Sequence, residues 1–123
     1  MAKILVCEDD FMVLKTVEHR LKLDGYTVLA VTDGSKAIEA LKVPDSDIGL
    51  IITDLLMPFI SGLELIHQVR VELNRETPII VLSKLGNEDT VLEAFNLGAD
   101  DYLTKPFSPN ELSIRVKKLL LRR

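Results

Sequence analysis

A single cysteine among 123 residues excludes an internal disulfide, and Cys7, set inside an apolar run, reads as core filling. Histidine is scarce as well: His19 and His67 have no cysteine or carboxylate partner at ligand spacing and read as surface or boundary residues. No apolar stretch approaches the ~20 residues that a membrane-spanning helix needs. Met1-Ala2-Lys3 leads straight into a strand pattern without the long apolar segment of a secretory signal, so a cytoplasmic protein without membrane association is expected. An excess of basic charge is also missing: Lys and Arg total 15 against 19 Asp and Glu, for a net charge of −4 and a pI near 5.1. Duplex affinity depends on neutralising phosphates, so direct nucleic-acid binding by this domain is not expected. The basic groups Lys117-Lys118 and Arg122-Arg123 read as a solvated helix face and C-terminus, where cations are favoured. Linkers, low-complexity stretches and internal repeats are lacking too. With 47% hydrophobic residues and a mean hydropathy of +0.21, the composition fits one globular domain over residues 1–123.

What is present is a regular alternation. Strand patterns fall at about 3–8, 26–31, 49–54, 78–83 and 101–104, with helical patterns near 10–24, 35–42, 62–73, 88–97 and 109–121. Strand and helix alternating in this way predict an α/β fold: a parallel five-stranded sheet between two layers of helices, a flavodoxin-like (βα)5 sandwich of strand order 2-1-3-4-5. The punctuation agrees. Asp24-Gly25 and Leu97-Gly98 close helices, and Ser108-Pro109-Asn110-Glu111 supplies an N-cap, a proline at the first helical position and a glutamate at the third. Helix 1, with Val13, Leu14, Val17, Leu21 and Leu23, reads as core packing. The sequence ends with its last helix, so an output domain, if the natural chain has one, lies outside it.

The apolar run Ile4-Leu5-Val6-Cys7 ends at Glu8-Asp9-Asp10, and the run Gly49-Leu50-Ile51-Ile52-Thr53 ends at Asp54. In an open parallel sheet the ligand crevice lies outside the strand C-termini where the strand order reverses, here between strands 1 and 3, and both acidic clusters fall there. Carboxylates that close raise each other's proton affinity unless a cation intervenes, and an all-oxygen donor set suits a hard divalent ion such as magnesium. Capping of the following helices is the competing reading for any one acidic cluster. Strand 4 ends at Ser83 and strand 5 leads to Lys105-Pro106, which adds a hydroxyl and an ammonium to the same rim.

With these residues in view, the chain resembles the receiver domain of bacterial two-component response regulators over essentially its whole length. The matching stretches are Val6-Cys7-Glu8-Asp9-Asp10, Thr53-Asp54-Leu55-Leu56-Met57-Pro58 with Gly62, Ile79-Ile80-Val81-Leu82-Ser83, and Gly98-Ala99-Asp100-Asp101-Tyr102-Leu103-Thr104-Lys105-Pro106-Phe107, the last similar to the OmpR/PhoB branch. The resemblance implies a signalling domain rather than an enzyme, one that catalyses only its own phosphorylation and dephosphorylation. By this resemblance Asp54 accepts a phosphoryl group from a sensor histidine kinase or a histidine phosphotransfer protein. It further implies that Glu8, Asp9, Asp54 and the backbone carbonyl of Leu56 hold Mg2+, that Ser83 and Lys105 contact phosphoryl oxygens, that Ser83 and Tyr102 form the switch, and that the Lys105-Pro106 bond is cis. Asp10, one place past the metal pair, is either a further metal ligand or the cap of helix 1. OmpR/PhoB-type receivers dimerise on phosphorylation through helix 4, strand 5 and helix 5. Here that face would comprise Val91, Phe95, Asp100, Asp101, Glu111, Arg115 and Arg122, with Asp101–Arg115 and Asp100–Arg122 as cross-subunit pairs.

Several positions depart from the family pattern. Val91 stands where a base usually faces Glu111, and Asn96 where an acid usually faces Lys117. Lys84 replaces the usual small residue beside Ser83; it is a second cation at the site, an obstruction at its entrance, or a lysine extended into water. Leu56 and Leu85 fall two places after Asp54 and Ser83, where polar side chains in some receivers orient the attacking water. Phe59 and Ile60, with Phe11, Leu85 and Phe107, form either an apolar rim around the pocket or packing beneath the loops. A flavin-binding flavodoxin shares the fold, but Glu8-Asp9-Asp10 would repel its phosphate. A phosphatase with an aspartyl nucleophile typically needs a second acid where Leu56 stands. The alternative from another class is a phosphorylation-independent interaction module.

Overall fold

The computed structural model describes residues 2–43 and 46–122; Met1 and Arg123, which entered the sequence reading, lie outside the described residues. The strands β1 (Lys3–Cys7), β2 (Thr27–Val31), β3 (Ile48–Thr53), β4 (Ile79–Ser83) and β5 (Asp101–Thr104) form one parallel sheet of order β2-β1-β3-β4-β5. The three inner strands are the apolar runs. A strand covered on both faces must present apolar side chains at every position, and the two-residue period divides them between two cores. Leu5, Cys7, Ile51, Ile79 and Val81 face one side, with residues of α2 (Gly34–Lys42), α3 (Gly62–His67) and α4 (Glu88–Leu97). Ile4, Val6, Leu50, Ile52, Ile80 and Leu82 face the other, with α1 (Phe11–Leu23) and α5 (Pro109–Leu121).

Helix starts follow local chemistry. The side chains of Asp10, Asp33, Ser61 and Ser108 each accept a backbone N–H in the first turn of α1, α2, α3 and α5. Pro109 occupies the first turn of α5, as the Ser-Pro-Asn-Glu signal predicts.

Two expectations are corrected. The pattern at 62–73 is not a single α-helix: α3 ends at His67 and continues as a π-helical turn, Gln68–Glu72, with Leu73 N–H donating to Gln68 O at 2.8 Å. Hydrophobic periodicity does not register one wider turn. This segment carries Arg70, whose guanidinium donates to the carbonyls of Gly98, Arg75 and Thr77 and to Asp100, tying the loop before β4 to the loop before β5. Leu23 is also not core: it is 69% exposed at the end of α1, while Leu14, Val17 and Leu21 are buried.

Candidate functional site

Parallel pairing of β1 with β3 sets Cys7 beside Thr53, so the next residues of the two strands, Glu8 and Asp54, emerge side by side; Asp54 N–H donates to Cys7 O at 3.1 Å. Pairing of β4 with β5 sets Ser83 beside Thr104 and delivers Lys105 to the same edge. The Lys105 ammonium lies 2.7 Å from Glu8 Oε1 and 2.9 Å from Asp54 Oδ2. Carboxylate oxygens of Glu8, Asp9 and Asp54 all lie within 4.8 Å of one another, with Glu8 and Asp54 buried and Asp9 exposed. The Lys105-Pro106 bond is cis.

The charges are held by burial as much as by pairing. Burial raises the Glu8 carboxyl above the ordinary carboxylate range, against the hydrogen bonds it accepts from Lys105 and from Asp10 N–H. Burial also opposes the charge of Lys105, but the hydrogen bonds to Glu8 and Asp54 outweigh it, and its pKa lies above that of an ordinary lysine. Asp54 is oriented from both sides: Oδ1 accepts Leu55 N–H at 2.6 Å and Leu56 N–H at 3.4 Å, while Oδ2 takes the lysine.

Asp10 lines the cleft, but its Oδ1 accepts Met12 N–H at 3.0 Å and Val13 N–H at 3.2 Å, so it caps α1 and stands outside the three-carboxylate cluster. A helix N-terminus offers unpaired N–H groups, and this carboxylate takes two of them. Ser83 is fully buried, and its Oγ accepts Leu85 N–H at 3.1 Å rather than lining the cleft. The Tyr102 hydroxyl donates to Leu85 O, so Ser83 and Tyr102 grip the same short loop. The apolar group divides: Phe11 and Phe59 are exposed at 64% and 85%, Leu85 is half-buried, and Ile60 and Phe107 pack against the two cores. The residues expected at the dimer face also make ion pairs within the single chain. Arg115 meets Asp101 at 2.7 Å and Glu111 at 3.5 Å, and Arg122 approaches Asp100 at 3.8 Å, all within one chain.

Sequence reasoning missed the support behind Asp54. Thr53 Oγ1 donates to Asp54 O at 2.8 Å, and Met57 Sδ accepts from the Cys7 thiol at 3.2 Å. Burial pushes the Cys7 thiol up to about 12, which suits a packed donor and not a nucleophile. The only signal for these contacts was position within the matching stretch.

A doubly wound sheet with three carboxylates and a lysine at its switch point is the arrangement expected of a signalling receiver domain. Comparison with known families agrees: the model for the response regulator receiver domain matches residues 4–117, and the chain belongs to this family. The Bacillus subtilis (strain 168) alkaline phosphatase synthesis transcriptional regulatory protein PhoP is 36% identical over 120 residues, covering 98% of this chain and 49% of that protein. ResD of the same organism, a transcriptional regulatory protein, is 38% identical with coverages of 98% and 48%. The chain thus spans about half the length of the curated relatives it matches. The Francisella response regulator 1452 receiver domain superposes with a TM-score of 0.91 at 33% identity, covering 99% of this chain and 98% of that one. The chain is a receiver domain of two-component response regulators, related to OmpR/PhoB-type regulators. The phosphorylation-independent module is not favoured. No helix among the described residues is long and apolar enough to cross a membrane.

Proposed function

We propose that this domain takes a phosphoryl group from the phosphohistidine of a sensor kinase or phosphotransfer protein onto Asp54 and uses the modification to switch its α4-β5-α5 face. The observation that carries this reading is the Lys105 ammonium set between Glu8 and Asp54, with Asp9 alongside. In the transfer an Asp54 oxygen attacks phosphorus, the P–N bond to the donor imidazole breaks, and its electron pair returns to that nitrogen. The transition state is loose and charged on its equatorial oxygens, so catalysis is mostly positioning and charge stabilisation. Leu55 N–H and Lys105 hold the two Asp54 oxygens in place before reaction, and Lys105 stays to neutralise a phosphoryl oxygen. Glu8, Asp9, Asp54 and the Leu56 carbonyl would hold magnesium, an all-oxygen set suited to a hard ion that supplies further neutralisation of phosphoryl charge. Beside the cleft runs a groove of about 620 Å³ bordered by Met12, Val13 and Phe107, which offers a donor helix an apolar seat. Incubation with acetyl phosphate should give one magnesium-dependent phosphoryl adduct by intact mass; an equal adduct on Asp54→Asn protein would reject the assignment.

Switching follows from the grip on Leu85. A Ser83 hydroxyl drawn to a phosphoryl oxygen releases Leu85 N–H, loosening the loop that Tyr102 holds. A charge-assisted hydrogen bond contributes roughly 1.5–3 kcal/mol, enough to bias a two-state equilibrium about tenfold or somewhat more. The face that responds has exposed Leu92, Phe95, Ile114 and Leu121 among its charges. A phosphorylation-promoted dimer through this face is expected to depend only weakly on salt, because surface ion pairs contribute only about 0–1 kcal/mol each. Sedimentation of beryllofluoride-activated protein at low and high salt tests this, and a dimer unaffected by Arg115→Glu would place the interface elsewhere. The longer regulator of which such a domain would be part is proposed to act in transcription, as its curated relatives are described.

Neither Leu56, exposed at the cleft, nor Leu85 has a side chain that hydrogen-bonds water, so the phosphorylated form is expected to be long-lived. Leu56→Asn combined with Leu85→Glu should speed its decay several-fold, up to about tenfold, equivalent to roughly 1.4 kcal/mol of barrier. Unchanged or slower decay, followed by loss of phosphoprotein on a mobility gel, would contradict this.

A further inference from the structure

The cleft of about 350 Å³ that exposes Asp54 is lined by Asp9, Asp10, Asp54, Leu56, Lys105 and also Lys84. Lys84 borders the apolar groove as well, so it stands on the partition between the two cavities. Among the described residues its ammonium has no hydrogen-bond or ion-pair partner, although acids line the same cleft, whereas Lys105 is held by two carboxylates. Its backbone is anchored on both sides. Ser83 O accepts Lys105 N–H at 2.8 Å, Ser83 Oγ accepts Leu85 N–H at 3.1 Å, and Leu85 O accepts the Tyr102 hydroxyl. In the unphosphorylated domain the stem therefore starts from a held backbone while the charged end is uncommitted.

Charge balance gives that end a task. Against the three carboxylates of Glu8, Asp9 and Asp54 stands the one ammonium of Lys105, leaving two units of negative charge for a divalent cation to match. The Asp10 carboxylate is already offset by the N-terminus of α1. Phosphorylation of Asp54 replaces one negative charge by about two, and the cluster then lacks a cation. We propose that Lys84 is an additional phosphoryl-contacting cation of this receiver: idle or mildly repulsive toward the metal before phosphorylation, and closing on the phosphoryl oxygens after it. The movement that draws Ser83 toward the phosphoryl group carries Lys84 with it, because the two residues are adjacent on the loop gripped by Tyr102. This inference rests on the receiver reading of Asp54.

The test uses two ligands of opposite charge on the whole chain. In Lys84→Ala protein, magnesium titrated alone should bind about three- to tenfold more tightly, because a unit cation near the site is gone. Beryllofluoride, with magnesium present, should bind more weakly by a similar factor. Lys84→Arg should restore both values, and the differences should shrink at high salt. Local misfolding would weaken both ligands together, so the opposite signs mark an electrostatic role. Unchanged affinities, or shifts of the same sign, on a wild-type protein that does take up beryllofluoride would overturn the role of Lys84 and leave the receiver reading standing. A wild-type protein that binds magnesium and takes up no beryllofluoride would overturn both.

Discussion

Gly62→Ala is expected to destabilise the domain by about 3 kcal/mol or more, the upper end of what overpacking costs. A Cβ built on Gly62 would lie 2.1 Å from Asp54 O and 2.7 Å from Leu55 Cα. Both contacts are backbone, so no side-chain rotation relieves them. Gly62 N–H also donates to Leu55 O at 2.9 Å, which closes the loop between β3 and α3 directly onto the segment that carries Asp54. Relief requires either opening that loop or moving the Asp54 peptide. For a domain of this size the loss corresponds to roughly 10 °C or more in Tm. Thermal unfolding measures the stability, and acetyl phosphate labelling of the same variant should fall as well. A variant with wild-type Tm would show that the close approach is not a constraint.

Arg70→Met is the second large effect, expected at about 2–3 kcal/mol. One guanidinium satisfies three carbonyls, those of Gly98, Arg75 and Thr77, and pairs with Asp100 at 3.0 Å. Asp100 in turn accepts Ile79 N–H at 2.8 Å, so the start of β4 depends on the same cluster. The pair is a fifth to a quarter exposed, which places the cost below that of a fully buried one. Methionine keeps the apolar stem and removes every donor, isolating the hydrogen bonds from the packing. The backbone has adapted to this residue: Gly98 has φ +121°, and a Cβ there would meet Arg70 Cγ and Nε at 2.8 Å. Urea unfolding should show a lower midpoint with an unchanged slope. An unchanged midpoint would mean that water replaces the lost donors without cost.

The parts of the fold that were legible are those written in local chemistry. Continuous apolar runs marked β1, β3 and β4, and Ser108-Pro109 marked the start of α5. The edge strand β2 was legible although its residues are half-buried or exposed, because the alternation with helices required it. The π-helical turn at Gln68–Glu72 was not, since the carbonyls that Arg70 satisfies there come from loops 5 to 28 residues away in sequence. At the site, Glu8, Asp54 and Lys105 were legible because each directly follows a strand end, with Asp9 one place further on, and the parallel register converts those positions into proximity. Ser83 was legible as a position but not in its orientation, which depends on Leu85 N–H. Asp101 and Arg115 were read as partners from the family resemblance; within the single chain they pair at 2.7 Å, 14 residues apart in sequence, and pairing between subunits is left to the sedimentation test.

The most direct measurement locates the phosphoryl group. Protein treated with acetyl phosphate and magnesium is reduced with borohydride, which converts an aspartyl phosphate to homoserine, and its peptides are mapped by mass. Homoserine is expected at position 54 alone, and is lost when magnesium is omitted. Homoserine at position 9 or 10, or an adduct that resists reduction because it is not an acyl phosphate, would contradict the assignment.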